Sequence, residues 1–428
     1  MDTKRLIVGM LLITVLSLGY RYFLAYEYSK HPEWVRPENQ TSSTQTPPTT
    51  GPVQPAFQAV DTGDTSHDAP DWQVLPPAAP SGPITLGYTR FDDPQYHMAV
   101  TLVPTGAAVD SVVLNQFYQE VDNPELYVYQ KPYEIDTIQT RALATSKVIV
   151  GADKDGNPLS KRLDATDWTL VSATDHSAEY QVDLTKSGKP ALRILKKFTL
   201  TPAKSDPTTP QGYELDLTYS VQNLSKAKES VGLEFNGPTV PRAESIRQDV
   251  EIVGGFEDDG LFDLSHIPVS SKIQTAPNIL HEFIDGPDKQ KQFLWMGESS
   301  NYFNAIVHAV NQGSMSRADA VLLNPEATGS DRLTQIHLTT TDVPLAAGAT
   351  GTIPFQVFFG PKTRELLNST YYSSLPRNYD QTLVMIGGCF LYALCTSATL
   401  INMLVGLLAA IHYVLRDWGL AIIVLVCL

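Results

Sequence analysis

Between residues 84 and 366 apolar and polar side chains alternate in short runs, among them MAVTLVP, AVDSVVLNQF, AEYQVDL, LRILKKFTL, GYELDLTYSVQN, SVGLEF, YFNAIVHAV, RLTQIHLTTT and TIPFQVFFG. Alternation with a period of two sends every second side chain to the same face of an extended strand, and residues rich in Val, Ile, Thr, Tyr and Phe suit that backbone. Glycine, proline, asparagine and aspartate separate the runs, as turns require. With no helical pattern between them, the runs predict a mostly β, large antiparallel sandwich. No fixed repeat length is visible, which disfavours a propeller. TRELLNSTYY, residues 363–372, predicts a short helix leading towards the apolar C-terminal region.

The two ends of the chain follow another pattern. Residues 1–28 carry Lys4 and Arg5, then LIVGMLLITVLSLGY and an aromatic belt of Tyr20, Tyr22, Phe23, Tyr26 and Tyr28. A poor small-x-small cleavage pattern and this belt favour a retained signal anchor over a cleaved leader, with the two basic residues holding its N-terminus in the cytoplasm. Residues 29–83 are rich in Pro, Thr, Ser, Gln and Gly and read as an exported, semi-extended tether. From 383 to 415 no charged residue occurs. As one helix this run would be roughly 50 Å long, against a hydrocarbon core of roughly 30 Å. Breaks are expected at Gly387-Gly388 and Gly406, giving an interfacial helix that feeds a spanning one. After Arg416-Asp417-Trp418-Gly419, the run LAIIVLVCL reaches only halfway across, so further chain is expected beyond Leu428. The predicted domains are therefore 1–28, 29–83, 84–366, a connector 367–382, apolar helices 383–415, and the start of a further membrane helix at 416–428.

Composition narrows the function. A net charge of −15 over 428 residues, with no basic stripe, argues against nucleic acid as a partner and against lying on anionic headgroups. Cys389, Cys395 and Cys427 all fall in the terminal apolar region, so the sandwich contains no disulfide and depends on its core.

Candidates for chemistry are few. His281-Glu282 opens HEFID, half of a zinc-protease helix, but Asp285 stands where the second histidine belongs. Glu257-Asp258-Asp259-Gly260, with Asp263, offers oxygen ligands for calcium, yet its spacing matches no defined loop and it reads as a solvated turn. No G-x-S-x-G, Walker loop or G-x-G-x-x-G is present. His97, His176, His266, His308 and His337 are scattered singly, and sequence alone pairs none of them with a carboxylate. Asn39, Asn223 and Asn368 stand in N-x-Ser/Thr contexts to which no role is attached. No catalytic residue, cofactor or metal ligand is assigned.

Three stretches carry a resemblance: FLWMGESSNYFNAIVHA at 293–309, FQVFFGPKTRELL at 355–367, and LLAAIHYVLRDWGLAIIVLV at 407–426. In this order and spacing they resemble the YidC family of bacterial membrane protein insertases. The resemblance implies an inner-membrane protein with an N-terminal anchor, a periplasmic β-supersandwich of galactose-mutarotase-like fold, an interfacial helix and a core of further membrane helices. It implies no covalent chemistry and no cofactor. Its implied partners are nascent membrane proteins, components of the Sec translocon and the lipid bilayer. It makes Gly360, Pro361 and Lys362 a family turn, and places Arg416 and Trp418 at the membrane interface. The groove arginine of the family would fall just past Leu428, so this chain is expected to be the N-terminal portion. A second reading is a membrane-tethered carbohydrate-binding or mutarotase-like sandwich. A third is a scaffold for periplasmic partners.

Overall fold

The computed structural model describes residues 66–120, 123–135, 138–203, 211–241, 250–269, 291–324, 332–385 and 398–427. The anchor, most of the tether, His281-Glu282, Asp285, Gly387-Gly388, Cys389, Cys395 and Asn39 lie outside these residues.

The alternating runs form the strands that their period demands. In Glu214–Asn223 the side chains of Leu215, Leu217, Tyr219 and Val221 are buried while Asp216, Thr218, Ser220 and Gln222 are half-exposed. This strand sits near the middle of a ten-stranded sheet. Along the sheet run Thr169–Ala173, Ser177–Lys186, Lys189–Leu200, Glu214–Asn223, Thr350–Pro361, Phe303–Ala309, Gln292–Ser299, Glu251–Asp258 and Leu261–Pro268, all antiparallel. A seven-stranded sheet is built around Thr145–Ala152, Glu229–Thr239, Thr334–Thr340 and Met315–Leu322. A four-stranded sheet, with Met98–Val103 and the long strand Ala108–Glu120 at its centre, completes the sandwich. The fold is mostly β, a large antiparallel β-supersandwich.

One apolar cluster joins the sheets. Phe235 of the seven-stranded sheet meets Phe355 and Tyr219 of the ten-stranded sheet with ring centroids 5.0 and 5.7 Å apart. Such tilted contacts add to the burial of three fully enclosed rings. Lys196 shares this layer. The alternation Leu192, Ile194, Lys196, Phe198, Leu200 points it inwards, where its ammonium group donates to the carbonyl of Leu143 and to Thr145 Oγ1. The nitrogen lies 5.1 Å from the Tyr219 ring centroid, and burial pulls its pKa well below the ordinary lysine value.

Two parts of the chain without strand alternation also belong to the sandwich. Trp72–Val74 pairs with Leu184, Thr185 and Lys186, and Trp72 is buried, so the described end of the predicted tether is a strand of the ten-stranded sheet. Residues 364–383 do not stand off as a single helix. They fold into Arg364–Leu367, Thr370–Ser373 and a 3-10 turn Tyr379–Leu383, burying Leu367, Tyr372 and Tyr379.

Further on, Ala398–Leu415 and Trp418–Cys427 are helices. The first runs unbroken through Gly406, where a break was expected. Glycine in a helix interior costs only about 1 kcal/mol relative to alanine and does not by itself break the helix. Among the described residues no helix is long and apolar enough to cross a membrane.

Candidate functional site

Two of the three motif stretches become neighbours in space. Gln292–Ser299, Phe303–Ala309 and Thr350–Pro361 lie side by side in the ten-stranded sheet, and the chain leaving Pro361 turns back to pack on them. Aromatic contacts hold this seam. Phe358 meets Tyr372 and Tyr379 at 5.3 and 5.4 Å between centroids, and Trp295 stands edge-on to Tyr379. The Trp295 indole donates to the carbonyl of Arg377.

Polar groups sew the same seam. Tyr372 donates its hydroxyl to Glu214, whose second oxygen accepts the backbone N–H groups of Gly212 and Tyr213 at 2.9 and 3.1 Å. Arg377 donates to Gln356 Oε1 at 2.8 Å and stacks 4.0 Å over the Tyr371 ring. Nearer the exit, Asn304 donates to Thr382 Oγ1 at 2.7 Å and accepts from Ser299 Oγ at the same distance. Lys362 donates to Ser299 Oγ at 3.0 Å and to the carbonyl of Ser300 at 2.9 Å. Beside them Glu298, fully buried, accepts from Tyr129.

Burial decides the charge states. It pushes the Glu298 carboxyl up to about 8 and brings Lys362 down to about 8. It also raises Glu214 and lowers His308 to about 4, the latter helped by nearby Arg377. A carboxyl that keeps its proton near neutrality can sit inside a sandwich without a counter-charge. The arrangement joins the segment 362–383 to the sheet as one body. Tyr372→Phe should therefore cost about 1–3 kcal/mol, measured by urea unfolding, because Glu214 loses its hydroxyl donor inside the protein.

The predicted site residues divide as follows. Gly360 and Pro361 are the last two residues of a strand, paired with Asn304 and Phe303, and do not form a turn. Glycine is required at 360 because the Phe358 ring folds over it: a Cβ there would lie 2.8 Å from Phe358 Cε2 and 3.0 Å from Tyr213 Cβ. Lys362 extends the ladder, its N–H donating to Tyr302 at 2.7 Å, and its side chain enters the buried network. Arg416 takes a left-handed conformation, φ 52°, that ends the first C-terminal helix. Asp417 caps the next helix through the N–H of Leu420 at 2.9 Å. Trp418 stacks on His412 at 3.7 Å between centroids. Asp417→Ala should lower the helicity of the last segment, costing about 1 kcal/mol, which circular dichroism of the C-terminal peptide pair in detergent would register.

The remaining candidates resolve individually. Asp258 pairs with Leu261, and Asp259 and Gly260 between them have φ of 49° and 79°. The acidic loop is thus the primed turn of a hairpin. Asp263 binds Lys291 at 2.8 Å. His176 lies 2.8 Å from Asp175 at the surface, His266 pairs with Glu251, and His97 rests on Tyr213. Among the described residues no group of three or more His, Cys, Asp and Glu is placed to hold a metal ion.

The seven-stranded sheet brings another histidine near a carboxylate. On its outer face Glu234 binds Lys147 at 3.1 Å and Ser146 Oγ at 3.0 Å, with His337 Nδ1 4.0 Å away. Burial lowers the pKa of His337 and so keeps the ring neutral. Alongside is a hollow of about 500 Å³ lined by Glu234, Arg317, Thr339 and Asp342 among others.

No curated protein sequence matches the chain. Solved structures with a similar fold include a galactose mutarotase related enzyme from Lactobacillus acidophilus, 13% identical over 65% of this chain and 97% of that one, TM-score 0.37. They also include a galactose mutarotase-like protein from Lactobacillus casei, 11% identical over 65% and 100%, TM-score 0.38. A third is a putative aldose 1-epimerase from Escherichia coli, 10% identical over 65% and 100%, TM-score 0.35. The family described as the YidC periplasmic domain matches residues 90–383, from the loop that leads into the strand Met98–Val103 to the last residue of the 3-10 turn. By that match over most of its length, the chain belongs to the family of YidC periplasmic domains.

Proposed function

We propose that this chain supplies the anchor, periplasmic domain and leading membrane segments of an insertase and chaperone that assists inner-membrane proteins to insert and fold, with or without the Sec translocon. The family match over residues 90–383 carries the reading. The uncharged run that begins at 381 and continues to 415 supports it, since a periplasmic domain joined directly to such a run is tethered at a membrane. The partners are nascent membrane proteins, Sec components and lipid. The work is physical: lowering the cost of moving polar segments through hydrocarbon, at least a few kcal/mol for a charged side chain. In spheroplasts, protease added outside should degrade the sandwich, and photo-crosslinkers on its surface should capture a ribosome-arrested membrane protein. Protection from the protease would reject the exported placement. Failure to capture any arrested chain would reject the insertase role.

A second reading, a membrane-tethered carbohydrate-binding or mutarotase-like sandwich, is favoured by one observation. A hollow is lined by Glu234, and the neutral imidazole of His337 lies buried 4.0 Å from that carboxylate, the residue types that acid and base chemistry on a sugar requires. A sugar that raises the melting temperature, with the rise lost in Glu234→Gln, would establish it. A broad sugar panel without any shift would remove it.

A further inference from the structure

We propose that the end of the sandwich at which the chain leaves for its apolar segment is a lipid-facing surface, with Tyr302, Tyr118, Phe91 and Tyr88 seated at the polar–apolar boundary of a zwitterionic bilayer. The inference rests on the membrane placement above and extends it to the orientation of the domain.

The exit is well defined. Thr382 is held by Asn304, and Asn304 pairs with Gly360, so the chain is released at the end of the ten-stranded sheet that carries Glu214 and Phe358. The strand Trp72–Val74 joins the sheet at the other end, where Trp72 pairs with Lys186. A ten-residue strand such as Glu214–Asn223 separates the two ends by about 34 Å.

The exposed rings sort to the exit end. Among the described residues of the sandwich, Tyr88, Phe91, Tyr118 and Tyr302 are the large aromatic side chains most open to solvent, 42–57% exposed. Tyr302 accepts the Lys362 N–H where the chain departs. Phe91 stacks face to face on Tyr118 at 4.4 Å, and Phe117, the neighbour of Tyr118, meets Phe303, the neighbour of Tyr302. Tyr88 joins through Asp175, in the turn that accompanies the loop before Met98. The exposed aliphatic residues Leu224 and Leu261 lie at the opposite end.

A ring with an apolar body is stabilised where water gives way to hydrocarbon, and a phenol keeps its hydroxyl hydrated there. Charge selects the kind of lipid. Arg90 beside Phe91 is paired with Asp93 at 2.8 Å, and Glu120 and Glu125 are exposed on the adjoining hairpin. Among the described residues this surface has no excess of cations to attract anionic headgroups, so neutral headgroups fit it better.

The test uses the full chain with Cys389, Cys395 and Cys427 replaced by serine, and one cysteine introduced as Tyr302→Cys, Phe91→Cys or, as the far-end reference, Lys189→Cys. Each is labelled with a nitrobenzoxadiazole dye, reconstituted into phosphatidylcholine vesicles and quenched by lipids bearing a nitroxide near the headgroup. Quenching at 302 and 91 should be at least twofold stronger than at 189. Equal quenching at all three positions, in protein that floats with the vesicles, would overturn the lipid-facing surface and leave the membrane reading intact. Protein that fails to float with the vesicles would overturn both.

Discussion

Gly297→Ala is expected to cost at least about 4 kcal/mol, enough to abolish the urea transition of the sandwich or move it to very low denaturant. Gly297 is paired with Ile306 in the middle of the seam, and a methyl group there would overlap the carbonyl oxygen of Ala305 and lie 2.7 Å from Ile306 Cα. Both obstacles are backbone, so no side chain can rotate away. The strands Gln292–Ser299 and Phe303–Ala309 would have to separate, and with them the contacts of Trp295 on Tyr379 and Asn304 on Thr382. Gly82→Ala is the reference, because nothing lies within 4 Å of a Cβ at that position. A Gly297→Ala protein that unfolds at the wild-type urea concentration would show that the register of this strand pair is wrong.

The second large effect is a pH dependence that Glu298→Gln should abolish. The Glu298 pKa is raised by burial to about 8 in the folded protein, against 4.5 when the group is free. Between those values the folded chain keeps a proton that the unfolded chain has lost, so stability falls as pH rises through the window. At 1.36 kcal/mol per pKa unit the loss amounts to about 4–5 kcal/mol at pH 8. Glutamine can still accept from Tyr129 and has no proton to lose. The variant should match wild type within about 1 kcal/mol at pH 4.5 and exceed it by about 4 kcal/mol at pH 8. Lys362 acts in the next window. Its pKa is lowered to about 8, so between 8 and 10.5 the unfolded chain holds the extra proton and stability recovers with pH. His308, lowered to about 4, raises stability between pH 4 and 6.5, which is why the difference between variant and wild type, and not either curve alone, is the measurement. Parallel curves from pH 4.5 to 8 would mean that Glu298 is ionised and paired in the native protein.

The strands were the most legible part of this chain. Each alternating run quoted from 84–366 contains or lies in a strand, because period two is a property of the extended backbone that survives whatever the strand packs against. The same period placed Lys196 on the inner face, and a lysine in phase with Leu192, Ile194 and Phe198 is the signal by which its burial could have been found. Trp72 and the segment 364–383 were not legible as core. Their apolar residues are too few and too irregularly spaced to show a period, and they are buried only because a finished sheet lies beside them. Gly360-Pro361 looks like a turn for a related reason. Glycine and proline mark turns in most sequences, whereas here the Phe358 ring excludes a side chain at 360 and the ladder continues to Lys362.

The seam itself lay outside what spacing can show. Glu298, Lys362, Tyr129 and Thr382 come from distant parts of the chain, and each taken singly is an ordinary polar residue near the end of a run. Sequence by itself determined the class of fold, the segregation of charge away from both ends, and which faces of the strands turn inwards, since these follow from local backbone geometry and the burial of apolar area. Tertiary structure alone decided which strands are neighbours, which carboxylates lose their charge and where the chain leaves the sheet. Those outcomes depend on distances and dielectric surroundings between residues far apart in the chain, and neither quantity exists until the chain has folded.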